Sequence, residues 1–255
     1  MTTVLRTEEL RKQFGDLVAT DDVSLEFDDQ HVTSIIGPNG AGKTTFYNLL
    51  TGVLQPTSGE IWLRKDGDMT EITDAEPHEV ARSGLSRSYQ ITNIFEGLTV
   101  RENLQVARIA HEGRTFDMRS RPDADEELNE EIDDLMELTN LTEIAETKCD
   151  TLSHGEKRNV EIALALAIEP SVFLLDEPTA GMNPTETEEI VSLIRELNRD
   201  IDATFIVTEH DMGVVTDISD RIVVLAEGAV LADGEPEAVL SDERVTEAYL
   251  GSETV

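Results

Sequence analysis

Residues Gly37-Pro38-Asn39-Gly40-Ala41-Gly42-Lys43-Thr44 fit the pattern G-x-x-x-x-G-K-[ST]. Each residue type has a chemical reason to be there. Glycines let main-chain N–H groups approach phosphate oxygens with no Cβ in the way, and a helix N-terminus beyond them adds positive potential. Lys43 can reach the β- and γ-phosphates, and the Thr44 hydroxyl can ligate Mg²⁺. The pattern predicts a nucleoside triphosphate site, provided a strand leads into the loop and a helix leads out. A second group supplies the metal side. Leu174-Leu175-Asp176-Glu177 is an apolar run ending in two carboxylates. An acidic pair at that place is by itself an ordinary solvated strand end. Next to a phosphate-binding loop, Asp176 can hold Mg²⁺ directly or through water, and Glu177 can polarise an attacking water.

These groups need a rigid frame. Residues 17–36 read as strands, with alternation at Val23, Leu25 and Phe27 and a continuous run from His31 to Ile36. The glycine loop breaks that run, and Lys43 to Leu50 reads as a helix. A turn over Pro56–Gly59 precedes a strand with Ile61 and Leu63 on one face. Beyond Gln90 the character becomes helical. Thr99 and Glu102 form a capping box for a helix to about Ala110, and Asp125 to Leu138 places Leu128, Ile132, Leu135 and Met136 on one face. Ser153 and Glu156 form a second capping box, opening a helix to Ile168. Val172–Leu175 is a short buried strand, and Asn183 with Pro184 suits the cap and first position of a helix burying Ile190, Leu193, Ile194 and Leu197. Thr204–Val207 and Ile222–Leu225 are further strands, with helices between and after them. Strands alternate with helices before residue 90 and after residue 170, around an all-helical middle: an α/β class with a parallel sheet and a helical insertion.

Composition narrows the rest. The 255 residues carry 54 acidic and 20 basic side chains, a formal charge of −34, with 39% hydrophobic residues. That is enough apolar content for a packed core and too much for a disordered acidic tail. The longest apolar stretch, Ile162–Ile168, is far short of the roughly 20 residues that span a membrane. The start of the chain lacks the pattern of a secretory signal, so an intracellular protein is expected. Cys149 is the only cysteine, which excludes an internal disulfide and a cysteine-based zinc site; beside Asp150 it reads as a small packing residue. The acidic excess is spread along the whole chain, as expected of a halophile's cytoplasmic protein in which molar salt screens self-repulsion. Such a surface also argues against binding nucleic acid.

Leu152-Ser153-His154-Gly155-Glu156-Lys157-Arg158, at the predicted start of a helix, resembles the signature sequence of ABC-type ATPases. Other motifs of that family follow in order. Phe14 resembles its adenine-stacking aromatic, Gln90 its Q-loop glutamine, Ala180-Gly181-Met182-Asn183 its D-loop, and His210 in Thr208-Glu209-His210-Asp211 its switch histidine. The string is most similar to ATPases of branched-chain amino acid importers, through the acidic loop near Asp117, the bulky residue within the signature, the Ala180–Pro184 run and the terminal Ala248-Tyr249-Leu250-Gly251. Urea and amide importers share much of it, and ABC-type ATPases outside transport or a nucleotide-dependent regulatory module are the rival readings.

The resemblance implies a P-loop NTPase of the ABC-ATPase fold: a RecA-like parallel-sheet core with an antiparallel β subdomain (residues 1–90 and 164–255) and a helical subdomain (91–163), together one domain over 1–255. It implies ATP and Mg²⁺, with Phe14, the loop from Gly37 through Thr45, Gln90, Ser153, Gly155 and Glu156 at the nucleotide. Thr44, Gln90 and Asp176 would lie on the metal side, and Lys43, Glu177 and His210 would act in catalysis. Nucleotide would be sandwiched head to tail with a second ATPase subunit, identical or related. Membrane permeases would dock on the helical insertion and the Gln90 region, an exported solute-binding protein would complete the system, and the chain would sit on the cytoplasmic face of the membrane. Three residues depart from the family pattern. His154 stands for a glycine, Glu156 for a glutamine and Asn183 for an aspartate. Glu156 adds negative charge near a polyanion unless it turns back onto the Ser153 backbone.

Overall fold

A computed structural model describes residues 2–88, 94–112 and 125–252 of the chain. Its centre is built from short, mostly apolar strands without strict alternation, buried on both faces. These are β3 (Val32–Ile36), β7 (Val172–Asp176), β8 (Thr204–Thr208) and β9 (Arg221–Ala226). With β6 (Leu85–Ser88) and β10 (Ala229–Gly234) they form a six-stranded sheet in the order β10-β9-β3-β8-β7-β6. All neighbours are parallel except the β9–β10 edge pair. Parallel pairing brings the C-terminal ends of β3, β7 and β8 to one edge of the sheet, where the loops bearing the chemistry begin.

A second, four-stranded antiparallel sheet has the order β2-β1-β4-β5, from β1 (Thr3–Phe14), β2 (Leu17–Asp28), β4 (Ser58–Lys65) and β5 (Asp68–Glu71). Leu5, Leu10, Val23, Leu25, Phe27, Ile61 and Leu63 from this sheet share one core with Phe46, Tyr47, Leu49 and Leu50 of α1 (Lys43–Leu50). The short α2 (Pro77–Arg82) adds Val80 to the same core.

The middle of the chain forms α3 (Val100–His111), α4 (Glu126–Leu138) and α5 (His154–Leu166). Val100, Leu104, Leu128, Ile132, Met136 and Val160 meet in a separate apolar cluster there. On the other face of the parallel sheet α6 (Pro184–Asp200) buries Ile190, Leu193, Ile194 and Leu197. The chain ends in α7 (Met212–Ile218), α8 (Pro236–Leu240) and α9 (Glu243–Ser252).

β5, α2 and β6 have no counterpart in the sequence reading, and three further elements differ from it. The helix from Ser153 ends at Leu166 rather than Ile168. Between β9 and the helices expected after it, α8 and α9, the chain forms an additional strand. Glu227 and Gly228, both at positive φ (51° and 83°), turn it straight back into β10. β1 lacks a readable alternation because of a bulge. Its pairing register shifts between Thr7 and Leu10 around Glu9 at φ 45°, so the inward positions change from Leu5 and Thr7 to Leu10.

Candidate functional site

The glycine loop links β3 to α1, as a phosphate cradle requires. Two of its glycines, Gly37 and Gly42, are fixed by close approach. A Cβ on Gly37 would lie 2.1 Å from the Leu225 carbonyl oxygen, and one on Gly42 would lie 2.4 Å from that of Ala19. Gly42 is also the N-cap of α1, with φ 100° and no side-chain cap. The helix therefore begins without a side-chain oxygen on its first N–H groups, the arrangement an anion can use. Lys43 is half-buried and its ammonium donates to the Gly37 and Pro38 carbonyls, at 2.5 and 3.3 Å. Burial pulls its pKa below 10.5, while the Glu177 and Asp176 carboxylates act in the opposite sense. Asn39, Gly40 and Thr44 are exposed along the rim; Ala41 is buried under it, and Thr45 is half-buried in the first turn of α1.

Asp176 ends β7 and Thr208 ends β8, paired across the sheet. Asp176 Oδ1 accepts from the Thr208 hydroxyl at 2.7 Å, and Oδ2 accepts from Arg87 at 2.5 Å. Glu177 adopts a left-handed φ of 46° as its N–H donates to the Thr208 carbonyl at 3.0 Å. Its side chain thus leaves the strand direction and reaches His210, Oε1 to Nε2, at 2.9 Å. The sequence-predicted catalytic pair Glu177 and His210 is brought into direct contact.

Two residues that the sequence reading passed over hold these loops. Glu209 is 4% exposed and accepts from the Thr179 N–H and hydroxyl at 2.9 and 2.7 Å and from the His210 N–H at 3.1 Å. Arg158 is 6% exposed and donates to the Asp176 and Pro178 carbonyls, tying α5 to the segment after β7. Neither carries a local signal: Glu209 lies between the polar Thr208 and His210 just past β8, and Arg158 follows Lys157 on α5.

Ser153 caps α5 at an exposed position, its Oγ accepting from the Glu156 N–H at 3.3 Å. Glu156 Oε2 accepts from the Ser153 N–H at 2.7 Å. The extra acid of the signature is turned back into a complete capping box, the geometry its position requires. His154 reaches the other way, Nε2 lying 3.4 Å from the Ala180 carbonyl. Gly155 faces the Glu186 side chain. Asn183 is spent as the N-cap of α6, accepting from the Thr185 and Glu186 N–H groups at 3.0 and 3.1 Å. Phe14 is 45% exposed at the tip of the β1–β2 hairpin, with Lys12 over its ring at 5.2 Å. Gln90 and Asp117 lie outside the described residues. From α9, Tyr249 packs in the cluster holding Ile36, and burial pushes its phenol up to about 12 against a hydrogen bond with the Gly37 backbone.

A glycine cradle after one parallel strand, with an Asp-Glu pair at the end of another, defines a P-loop nucleoside triphosphatase. Comparison with known proteins narrows the class. Residues 20–180 match the ABC transporter family, and residues 229–255 match the branched-chain amino acid ATP-binding cassette transporter family. The high-affinity branched-chain amino acid transport ATP-binding protein BraF of Pseudomonas aeruginosa is 41% identical over 97% of this chain and 98% of its own length. LivG of Escherichia coli, named for the same transport, is 38% identical over 97% and 98%. The crystal structure of an ATP-binding cassette of an ABC transporter in its ADP conformation superposes with TM-score 0.86 at 33% identity, covering 98% of this chain and 100% of that one. A dimeric post-hydrolysis cassette bound to ADP and Pi superposes with TM-score 0.72 at 27% identity, over 91% and 98%. The chain belongs to the ABC transporter ATP-binding family. Like the other members of that family, it is an ATPase.

Proposed function

We propose that this chain powers an importer of branched-chain amino acids, hydrolysing ATP between two head-to-tail ATPase subunits. The observation that supports the catalytic reading most strongly is the contact of Glu177 with His210 at the strand ends beside the Lys43 loop. Near full-length similarity to BraF and LivG, and the match over residues 229–255, support the cargo class.

In this reading the Gly37–Thr45 loop and Lys43 bind the β- and γ-phosphates, and Phe14 stacks on the adenine. Thr44, Asp176 and Gln90 offer hard oxygen donors of the kind Mg²⁺ takes alongside phosphate oxygens and water. When bound, Mg²⁺ would neutralise developing phosphate charge. Glu177 accepts a proton from the attacking water, forming a P–O bond as the β–γ bridge bond breaks toward ADP. His210 holds the Glu177 carboxylate in place and adds positive character as charge builds. Ser153 and Gly155 of the opposing subunit close over the nucleotide, with Glu156 acting through the cap. Binding favours the closed pair, and hydrolysis removes that preference, which shifts the conformational equilibrium.

Residues 91–163 form the helical subdomain and 1–90 with 164–255 the core in this scheme, with permeases seated on the insertion and the Gln90 region. No helix among the described residues is long and apolar enough to cross a membrane, so a permease must provide the path. We place the chain on the cytoplasmic face of the membrane, in a system with an exported solute-binding protein, and in a halophile on the strength of its charge of −34. Co-expression with candidate permease subunits, reconstitution in vesicles and uptake of labelled leucine, valine or urea tests the proposal. ATP-dependent leucine or valine uptake supports it, and uptake of urea alone contradicts the cargo class.

A further inference from the structure

Arg87 lies on β6 with its side chain only 6% exposed. Its Nη1 donates to Asn48 Oδ1 at 2.7 Å and its Nη2 to Asp176 Oδ2 at 2.5 Å. Its central carbon sits 5.3 Å from the centroid of the Tyr47 ring. Tyr47 is wholly buried and anchored by its hydroxyl, which donates to the Ile206 carbonyl at 2.9 Å. Asn48 and Tyr47 belong to α1, the helix that starts with Lys43 and Thr44. Arg87 therefore ties the phosphate-loop helix to the strand-end carboxylate. With Thr208 on Oδ1, both oxygens of Asp176 are engaged, in a side chain 13% exposed.

This arrangement has an electrostatic consequence. A carboxylate already balanced by a buried guanidinium offers an incoming divalent cation little net attraction, and the guanidinium itself repels it. A metal that arrives with phosphate oxygens brings its own compensating charge and takes most of its ligands from the nucleotide and water. We infer that Arg87 is an internal counter-cation for Asp176, a positioning residue that keeps the site closed to free divalent metal and lets it accept only the metal–nucleotide complex. The inference rests on the proposed assignment of Asp176 to the metal side.

Mn²⁺ binding to the full chain, followed by electron paramagnetic resonance in molar KCl to suppress surface carboxylates, tests it. Without nucleotide, wild type and Asp176→Asn bind Mn²⁺ alike. Arg87→Met gains a site at least about tenfold tighter than any in wild type, and that site is lost in Arg87→Met/Asp176→Asn. Arg87→Lys, which keeps the charge, behaves as wild type. An Asp176-dependent Mn²⁺ site in nucleotide-free wild type, or no gain in Arg87→Met, overturns the inference. The first of these needs no Arg87 variant to fold. A separate arm with ADP tests the underlying assignment. Mn²⁺ taken up with ADP is lost in Asp176→Asn if Asp176 lies on the metal side. Mn²⁺ retained there overturns that assignment, and the counter-cation role with it.

Discussion

His210 Nε2 lies 2.9 Å from Glu177 Oε1, across the loops that leave the neighbouring strands β8 and β7. In that contact a carboxylate oxygen accepts and an Nε2–H donates. The contact aims Glu177 and His210 together. Glu177→Gln should lower hydrolysis by about 10²–10⁴-fold with nucleotide affinity changed only a few-fold. His210→Ala should lower turnover in the same direction, and the double variant should be no slower than the worse single one. Steady-state turnover with equilibrium nucleotide titration checks all three; additive losses would show that the two residues act separately.

Glu209 is the buried joint between the segment after β7 and the histidine loop. Glu209→Ala leaves the Thr179 and His210 N–H groups without this acceptor, at a cost of about 1–3 kcal/mol. Urea unfolding in molar salt should show a lower midpoint at an unchanged slope. Turnover of the folded fraction should fall as well, because His210 loses its support. Equal stability and equal turnover would remove Glu209 from the account.

Burial holds the Lys43 pKa below 10.5. In the free protein the ammonium then loses its proton earlier than in the unfolded chain. The unfolded state binds more protons between the two values, so this group's contribution to stability rises with pH through that window. A bound phosphate favours the charged form and moves the pKa back up. ADP binding should therefore take up protons as pH climbs toward the lowered value and take up none through Lys43 at neutral pH. Calorimetry in buffers of different ionisation enthalpy measures this; an uptake that is absent at alkaline pH contradicts it.

A net charge of −34 repels itself over about 10 Å at 0.1 M salt and only about 3 Å at 1 M. Dialysis from molar KCl to 0.1 M should unfold or aggregate the protein, followed by circular dichroism and light scattering. Retained structure and a constant melting temperature would contradict the halophilic reading.

What the sequence made legible follows from how local each signal is. The capping boxes at Thr99 and Ser153 and the N-cap at Asn183 stand where the sequence predicts, because a cap involves only residues a few positions apart. The strands before Gly37 and Asp176 are short runs ended at once by a glycine loop or an acidic pair, so the frame of the site could be read directly. β1, β5 and β10 could not, since bulges, polar edge positions and an uncommon Glu-Gly turn leave no clean period. Arg87, Arg158 and Glu209 escaped for a different reason. Their roles lie in contacts to residues far along the chain, such as Arg87 to Asp176, and no local pattern marks which charged side chain will be buried.

In the proposed sandwich, one chain's phosphate cradle needs another chain's Ser153. Light scattering of Glu177→Gln in molar KCl with ATP decides this. The monomer mass of 28.2 kDa should double on adding ATP and return on its removal, and adding Ser153→Arg should abolish the doubling while each chain still binds nucleotide. A mass that stays at the monomer value with ATP bound, or a dimer indifferent to Ser153→Arg, would contradict the account.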